Sequence, residues 1–514
     1  MQNRKDARKW REQLVSNRNM LPVALRYVLA LLGGGLSALA FAPVDMYPLS
    51  LVGLAVLFAL LAMDGVSRAF LTGWFYGLGL FGAGVSWIYV SLHVYGGMSI
   101  PLTLIATFLF CAFLALFPAC HGSLQARFKT TPAIRLLILM PAIWTSLEWV
   151  RGWIFTGFPW LALGYSQVPD SPLAGYAPVL GVYGVSLLAA VSAGTLAWMW
   201  SMRASWVKVS AGLALLVALF GGGFLLKGVE WTRPQGPPIS VALVQGNIPQ
   251  EMKWNPDVAV ATLQTYREMA SSTRAQLTVL PETALPVFYS ELPESYLNDL
   301  REIGRERGGD LLAGVPTGDL FGEYFNSVAS FGLQPTQFYS KHHLVPLGEF
   351  IPPGFGWILD ILHIPLFDIS RGAESQPPMA VAGQRIAVNI CYEDVFGEEI
   401  IRALPEATLL VNVSDDAWFG DSFAASQHRQ ISQMRALETG RMMLRSTNTG
   451  STAIIDAKGR VVSELAPFRR AILQGRAQGY AGATPYVLWG NYPVVLGVGL
   501  LVAAMLISGL RRRQ

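Results

Sequence analysis

Long apolar stretches before residue 229 constrain the fold of this 514-residue chain more than any other feature. Several runs of about 20 apolar residues follow one another there, and an α-helix needs a run of that length to cross a bilayer. From there to about residue 485 the composition is that of a soluble domain, although only 14% of the whole chain is charged. Ordinary soluble domains carry about 25% charged residues. The sequence therefore predicts an integral membrane protein with one large extramembrane domain.

We predict a polytopic α-helical membrane domain with about eight spans, together with an extramembrane α/β domain. The membrane domain occupies residues 1–228, the extramembrane domain residues 229–485, and a last span with a basic tail residues 486–514. The predicted spans lie near residues 21–41, 48–64, 69–90, 98–120, 133–150, 178–201, 207–227 and 487–510.

The loops between these spans alternate in charge. Loops 42–47 and 91–97 contain no lysine or arginine, whereas the chain termini and the alternate loops are basic. Because basic residues in short loops favour the cytoplasmic side, we expect a multi-pass protein of the bacterial inner membrane whose large domain faces the periplasm. The net charge of +4 lies largely at the two ends, so we expect no nucleic-acid partner.

The extramembrane domain shows short apolar strands interleaved with amphipathic helices. This alternation predicts α/β layering with a buried sheet. The predicted strands are 239–245, 277–280, 311–315, 326–331, 384–390, 409–413 and 451–455, and the predicted helices are near 257–271, 294–307 and 426–441.

The strand 384–390 ends in a cysteine followed by polar residues, Cys391-Tyr-Glu-Asp394. A thiol at the end of a buried strand is held on a rigid element and is reachable from solvent, as a nucleophile requires. The alternative is that Cys391 is a small packing residue, the commonest role of a free cysteine.

Two further strand ends carry polar residues that the fold does not require. Glu282 follows a strand and Pro281, where an apolar neighbourhood suits a general base; the alternative is a capping or surface glutamate. Lys341 follows another strand and can hold an oxyanion or favour a nearby thiolate; the alternative is an exposed lysine.

The adjacent residues His342 and His343 raise the question of a metal site. In a strand, neighbouring side chains point to opposite faces, and no carboxylate or cysteine spacing completes a zinc site. We therefore expect neither a metal nor an organic cofactor.

The stretches around Glu282, Lys341 and Cys391, in that order along the chain, resemble the nitrilase superfamily over about residues 235–480. The resemblance implies an αββα sandwich and a Glu–Lys–Cys catalytic set formed by Glu282, Lys341 and Cys391. With the membrane half included, it narrows to the apolipoprotein N-acyltransferase family. The closer match is carried by Val244-Gln-Gly-Asn-Ile-Pro249, Lys341-His-His-Leu-Val-Pro-Leu-Gly-Glu349, Leu444-Arg-Ser-Thr-Asn448 and Gly157-Phe-Pro-Trp160.

The resemblance also implies supporting or substrate-binding positions, namely Glu349, Tyr392, Glu393 and Trp254. Trp418 is a candidate for lining an acyl pocket, although packing in the core explains a tryptophan there equally well. The segment 351–367 is too apolar for an exposed loop. We expect it to be either a mobile arm that admits lipid from the bilayer or a static packing surface.

The implied reaction transfers an acyl chain from a phospholipid, through a thioester on Cys391, to the N-terminal α-amine of a diacylglyceryl apolipoprotein. We expect the protein to act at the lipid bilayer as a monomer. One alternative is a membrane-tethered nitrilase-type amidase, with water as the second nucleophile. Another is a transporter or scaffold whose outer domain only binds ligands.

Overall fold

A computed structural model of the protein describes residues 21–62, 64–201, 205–253, 256–319, 322–351, 354 and 369–511. The chain divides into two compact units. The first consists of residues 1–86, 104–229 and 491–514, and the second of residues 87–103 and 230–490. The second unit therefore includes a short segment from within the predicted membrane half.

The described residues of the first unit form helices joined by loops, and helices overlap the predicted spans, although two of those spans are each divided between two helices. Among the described residues, four helical stretches are long and apolar enough to cross a membrane: Ile100–Ala126, Pro132–Arg151, Pro172–Trp200 and Trp206–Lys227. A bent pair, Val66–Gly84 with Ile88–Tyr95, counts as at most a fifth, and three shorter apolar helices are Val23–Ala38, Pro48–Ala62 and Tyr492–Met505. These helices support the predicted membrane domain.

The individual helical elements of this unit are as follows. The α-helices are Val23–Ala38, Pro48–Ala62, Val66–Gly84, Ile100–Leu114 (which starts in the second unit), Leu116–Ala126, Pro132–Ile134, Met140–Arg151, Ala177–Ser201, Trp206–Lys227 and Tyr492–Arg511. Shorter 3₁₀ and π turns are Arg135–Leu139, Ile154–Thr156, Leu163–Gln167 and Pro172–Tyr176.

Close helix packing in this unit depends on small residues. A Cβ atom added to Gly34 would lie 2.0 Å from the carbonyl oxygen of Tyr76, and one added to Gly79 would lie 2.0 Å from that of Leu31. The helices Val23–Ala38 and Val66–Gly84 therefore approach backbone to backbone, as membrane helices with small interfacial residues do.

The second unit contains two six-stranded sheets and a two-stranded ribbon in its described residues. The strands are β1 Arg233–Pro234, β2 Ile239–Gln245, β3 Leu277–Val279, β4 Asp310–Gly318, β5 Tyr324–Gly332, β6 Phe338–Ser340, β7 Met379–Val381, β8 Gln384–Ile390, β9 Leu409–Ser414, β10 Met443–Thr447, β11 Ala453–Ile455, β12 Val461–Glu464, β13 Ala471–Ala477 and β14 Tyr480–Ala481. One sheet has the order β13-β2-β3-β4-β5-β6, the other β12-β11-β10-β9-β8-β7, and β1 pairs with β14.

Helices pack on the outer face of each sheet, for example Glu294–Arg305 on one sheet and Phe423–Thr439 on the other, which confirms the predicted αββα sandwich. The α-helices are Ile88–Val90, Gln250–Lys253, Pro256–Ser272, Glu294–Arg305, Gly397–Ile400, Phe423–Thr439 and Pro485–Trp489. The 3₁₀ and π turns are Ser91–Tyr95, Tyr289–Glu291, Cys391–Val395, Ile401–Ala403 and Asp416–Phe419.

The core of the second unit lies between the two sheets. Alternate residues of β2, such as Val241 and Leu243, pack with alternate residues of β8, such as Ile386, Val388 and Ile390, and all are buried. Burial of alternate side chains fixes the register, because a shift by one residue would turn each apolar residue to the opposite face. The last residue of β8 is thereby placed at a defined sheet edge.

Candidate active site

Glu282 lies in the loop after β3 and is almost completely buried, at 7% exposure. Its Oε1 accepts a hydrogen bond from Asn326 Nδ2 at 2.8 Å, and its Oε2 accepts one from the backbone N–H of Asp415 at 2.8 Å. Asn326 lies in β5 of one sheet and Asp415 follows β9 of the other. The pairing of the two sheets therefore orients the carboxylate of Glu282.

The loop that carries Glu282 packs directly on the backbone of β4. Gly314 permits this, because a Cβ atom there would lie 2.4 Å from the Thr283 nitrogen. Lys253 fixes the loop from another direction, donating to the carbonyl of Glu282 at 3.0 Å and pairing with the carboxylate of Asp415.

Lys341 lies directly after β6 and is 1% exposed. Its Nζ is 2.7 Å from Glu349 Oε1 and 3.6 Å from Glu282 Oε1. Glu349 is held in turn by the backbone N–H of Val345, 2.7 Å from its Oε2. Burial acts to lower the pKa of Lys341, but Glu349 and Glu282 together raise it above its ordinary value. Lys341 is therefore an ammonium ion held between two carboxylates.

Cys391 follows β8 directly and begins the 3₁₀ turn Cys391–Val395. Its φ of +53° is in the left-handed region, which costs a non-glycine residue free energy unless the surroundings hold it. Its carbonyl oxygen accepts hydrogen bonds from Asn412 Nδ2 at 3.1 Å and His428 Nε2 at 3.2 Å.

The thiol of Cys391 is electrostatically coupled to both other predicted residues. Burial, and then the charge of Glu282, raise the pKa of Cys391 well above its ordinary value, while Lys341 acts to lower it. The resting group at neutral pH is therefore the thiol. A thiol nucleophile needs a base to remove its proton. This favours a mechanism in which a carboxylate takes the proton during the reaction over one that starts from a preformed thiolate.

Glu393 connects the ends of β6 and β8. Its Oε1 accepts from the backbone N–H groups of His342 at 2.7 Å and His343 at 3.1 Å, and its Oε2 accepts from Ile390 N at 2.7 Å and Tyr339 Oη at 3.0 Å. With four donors on a buried carboxylate, Glu393 holds the backbone that precedes Cys391 and follows Lys341.

The two histidines occupy a different setting from the one predicted. They follow β6 rather than lie in a strand, so the rule of opposite faces does not apply to them. His342 Nδ1 is 2.9 Å from the Gly372 carbonyl oxygen, and His343 Nδ1 is 2.9 Å from Glu399 Oε1.

Tyr392 and Trp418 have different environments. Tyr392 is buried, with its ring 5.2 Å from that of Phe396. Trp418 is 39% exposed; its ring lies 5.8 Å from Tyr95, and its carbonyl accepts from Ser91 Oγ at 2.8 Å. Trp254 lies outside the described residues, as does the segment 351–367 apart from Ile351 and Gly354.

Sequence reasoning assigned no role to several groups that contact the candidate site residues, chiefly Asn326, Asp415 and Asn412. Asp415 follows the predicted strand 409–413, so the strand-end argument that found Glu282 also applied to it. Asn326 is the third residue of the antiparallel strand β5, and no local pattern indicates its hydrogen bond to Glu282, 44 positions away.

Two family models match the chain. Residues 33–195 match the apolipoprotein N-acyltransferase N-terminal domain, and residues 240–486 match the carbon-nitrogen hydrolase family. The second match agrees with the αββα sandwich. Among solved structures, a carbon-nitrogen hydrolase from Helicobacter pylori covers 46% of this chain and 88% of its own, with 18% identity and a TM-score of 0.35.

Curated relatives align over nearly the whole chain. An apolipoprotein N-acyltransferase of Nitrosomonas europaea is 50% identical over 494 residues, covering 95% of this chain and 98% of its own. Proteins of the same name from Chromobacterium violaceum and Methylococcus capsulatus are each 46% identical, covering 94% and 95% of this chain and 94% and 96% of their own.

Proposed function

The chain belongs to the apolipoprotein N-acyltransferase family, and on this premise we propose the residues and steps by which it acylates lipoproteins. It is an acyltransferase, and its family name implies a phospholipid donor and a lipoprotein acceptor. The names of its relatives do not favour the amidase alternative.

One observation carries the assignment of the site. Lys341 Nζ lies between Glu282 and Glu349, and the thiol of Cys391 interacts electrostatically with both Glu282 and Lys341. Three residues that are far apart along the chain therefore act as one cluster of base, cation and nucleophile, in which Glu282 and Lys341 are buried and Cys391 is partly buried. This set suits acyl transfer through a covalent intermediate.

In the first half-reaction, Glu282 takes the proton of Cys391, and the thiolate attacks an ester carbonyl of the phospholipid. Lys341 Nζ and the backbone N–H of Tyr392 donate to the tetrahedral oxyanion, an effect worth about 3–4 kcal/mol per donor. The intermediate collapses with loss of lysophospholipid, whose oxygen receives the proton from Glu282. A thioester remains on Cys391.

In the second half-reaction, the α-ammonium group of the lipoprotein's diacylglyceryl cysteine gives one proton to Glu282. The free amine attacks the thioester, and the same donors stabilise the second oxyanion. Collapse forms the amide and releases the sulfur of Cys391, which regains a proton, while the other proton leaves to solvent. Use of one site by two bulky substrates in turn predicts ping-pong kinetics.

The setting of the reaction is also part of the proposal. In the described residues, four helices are long and apolar enough to cross a membrane, or five if the bent pair is one span; we propose that the three shorter apolar helices complete a set of eight. With the basic loops in the cytoplasm, the domain of about residues 229–485 faces the periplasm from the inner membrane, between a seven-span domain and a last span.

Intact-mass measurement tests this assignment. Wild-type protein incubated with phospholipid should gain the mass of one acyl chain, and a diacylglyceryl peptide should remove it. Cys391→Ser should gain no mass that the peptide discharges as an amide. Cys120→Ser is the matched control, because Cys120 is the exposed cysteine of the first unit and should keep the gain. An equal acyl gain in Cys391→Ser would refute the assignment, as would discharge by water at the rate seen with the peptide.

A further inference from the structure

The peptide bond between Cys391 and Tyr392 contributes to the proposed mechanism through both of its polar groups. Its N–H is the proposed oxyanion donor, and its C=O accepts from Asn412 Nδ2 at 3.1 Å and His428 Nε2 at 3.2 Å. A planar trans peptide holds C=O and N–H in opposite directions. Donors that fix the carbonyl therefore also fix the direction of the N–H.

His428 lies in a buried network of charges and is 1% exposed. Its Nε2 is 2.9 Å from Asp394 Oδ1, and its Nδ1 is 3.0 Å from Asp416 Oδ1. Arg445 approaches the same two carboxylates, at 3.3 Å from Asp394 Oδ2 and 2.9 Å from Asp416 Oδ2. Charges of this kind persist in a protein interior when they are paired and hydrogen-bonded.

The Nε2 atom of His428 carries a proton in either charge state of the ring, because Asp394 Oδ1 and the Cys391 carbonyl are both acceptors. Burial and Arg445 act to lower the pKa of His428, but Asp394 and Asp416 raise it to about 9. Arg445 Nη2 also lies 2.7 Å from Nδ1, an approach that becomes a hydrogen bond only when the ring is neutral.

We propose that His428 is a positioning residue that orients and polarises the Cys391–Tyr392 peptide, so that its N–H meets the developing oxyanion. The inference rests on the proposed function, because it needs a tetrahedral intermediate at Cys391. A donor on the carbonyl strengthens the hydrogen bond that the N–H of the same peptide makes, since linked hydrogen bonds polarise one another. The benefit arises in the transition state, so it acts on the rate constant of acylation rather than on lipid affinity.

Two substitutions at His428 separate this role from simple support of the fold. A glutamine places its amide N–H near the position of Nε2, whereas an asparagine reaches only the position of Nδ1. Two rates are measured on the full chain: acylation of Cys391 by phosphatidylethanolamine–phosphatidylglycerol vesicles, and alkylation of Cys391 by iodoacetamide. Alkylation uses the same sulfur but develops no oxyanion.

We expect His428→Asn to slow acylation by about 10- to 100-fold while alkylation changes far less, as loss of support for one oxyanion donor requires. His428→Gln should retain most of the acylation rate. The control is Gln433→Ala, which removes a buried hydrogen bond from the same helix (Gln433 Nε2 to the Gly459 carbonyl, 2.8 Å) and should leave both rates unchanged.

Equal acylation by the asparagine and glutamine variants would overturn the proposal, as would a parallel loss of acylation and alkylation in His428→Asn. Should that variant not fold, Asn412→Asp replaces the other donor with an isosteric acceptor, and the same two rates decide. A wild-type protein that forms no acyl-enzyme would instead refute the proposed function, so the two failures are distinguishable.

Discussion

Replacement of Glu349 by glutamine tests how Lys341 is held at the site. Glu349 accepts hydrogen bonds on both oxygens, from Lys341 Nζ at 2.7 Å and from Val345 N at 2.7 Å. Glutamine has nearly the same size but only one acceptor oxygen, so its NH₂ group must face one of these donors. One bond is lost, and the buried ammonium is drawn towards Glu282, whose Oε1 is 3.6 Å away.

The size of the effect follows from the bond that is lost. A hydrogen bond to a charged group contributes about 1.5–3 kcal/mol. At about 1.36 kcal/mol per factor of ten, Glu349→Gln should slow acylation of Cys391 by about 10- to 150-fold. The measurement is a rapid-quench time course of acyl-enzyme by intact mass, at several phospholipid concentrations. We expect the rate constant to fall and the half-saturating concentration to stay near the wild-type value, because the oxyanion exists only after binding.

Glu374→Gln is the matched control for this experiment. Glu374 also pairs with a cation, 3.0 Å from Arg402, but the pair lies at the surface, where such pairs contribute about 0–1 kcal/mol. The rate of Cys391 acylation in the Glu374→Gln variant should equal that of wild type. A folded Glu349→Gln variant that also acylates at the wild-type rate would refute the role given to Lys341.

Three further predictions concern the base, the loop that carries it and the buried histidine. Asn326→Asp puts a carboxylate where Asn326 Nδ2 now donates to Glu282 at 2.8 Å. Because one of two adjacent carboxylates must hold a proton, the pH–rate profile of acylation should move to higher pH. An unmoved profile would contradict this prediction. Gly314→Ala places a Cβ atom 2.4 Å from the Thr283 nitrogen. Overpacking of this kind lowers the stability of the fold by about 1–3 kcal/mol, so calorimetry should show a lower unfolding temperature and acylation should slow. Wild-type values for both would show that the loop adapts and would contradict the prediction. The pKa of His428 is raised from 6.5 to about 9, so its contribution to stability is full below pH 6.5 and is lost as the pH rises through about 9. The difference in unfolding temperature between wild type and His428→Gln should therefore shrink between these two pH values. A difference that grows would count against the buried ion pairs.

Local pattern was sufficient to predict much of the second unit. The runs 239–245 and 384–390 are rich in branched apolar residues, and each was predicted to be a strand. The strands β2 and β8 have the same bounds as these two runs. The helices predicted near 257–271, 294–307 and 426–441 are also present, as Pro256–Ser272, Glu294–Arg305 and Phe423–Thr439. Each of these elements buries one face, and that is the property that sequence periodicity records.

The contacts that complete the site depend on long-range pairing and were not predicted. The N–H of Asp415 reaches Glu282 across 133 positions of the chain, and Asn412 reaches the Cys391 carbonyl across 21. Nothing in the local composition around Asn326 distinguishes it from any other polar residue of a strand. Such residues become visible only when the register of the sheets is known.

The segment 87–103 shows a second limit of local pattern. The prediction placed residues 87–90 and 98–103 in the spans 69–90 and 98–120, and residues 91–97 in the loop between them. In the structure the helix axis bends by 63° between Val66–Gly84 and Ile88–Tyr95, and the segment belongs to the second unit. There Trp87 Nε1 donates to Gln427 Oε1 at 3.1 Å. The two residues are 340 positions apart, so a local sequence pattern cannot predict their contact.

Locating the acyl group on the chain tests the central claim most directly. The protein is incubated with a phospholipid that carries a labelled acyl chain, digested at low pH, and its peptides are sequenced by mass spectrometry. The account predicts label on the peptide that contains Cys391, joined through sulfur, and its quantitative transfer to an added diacylglyceryl peptide as an amide. Label on another residue, or labelled product formed while Cys391 stays unmodified, would contradict it.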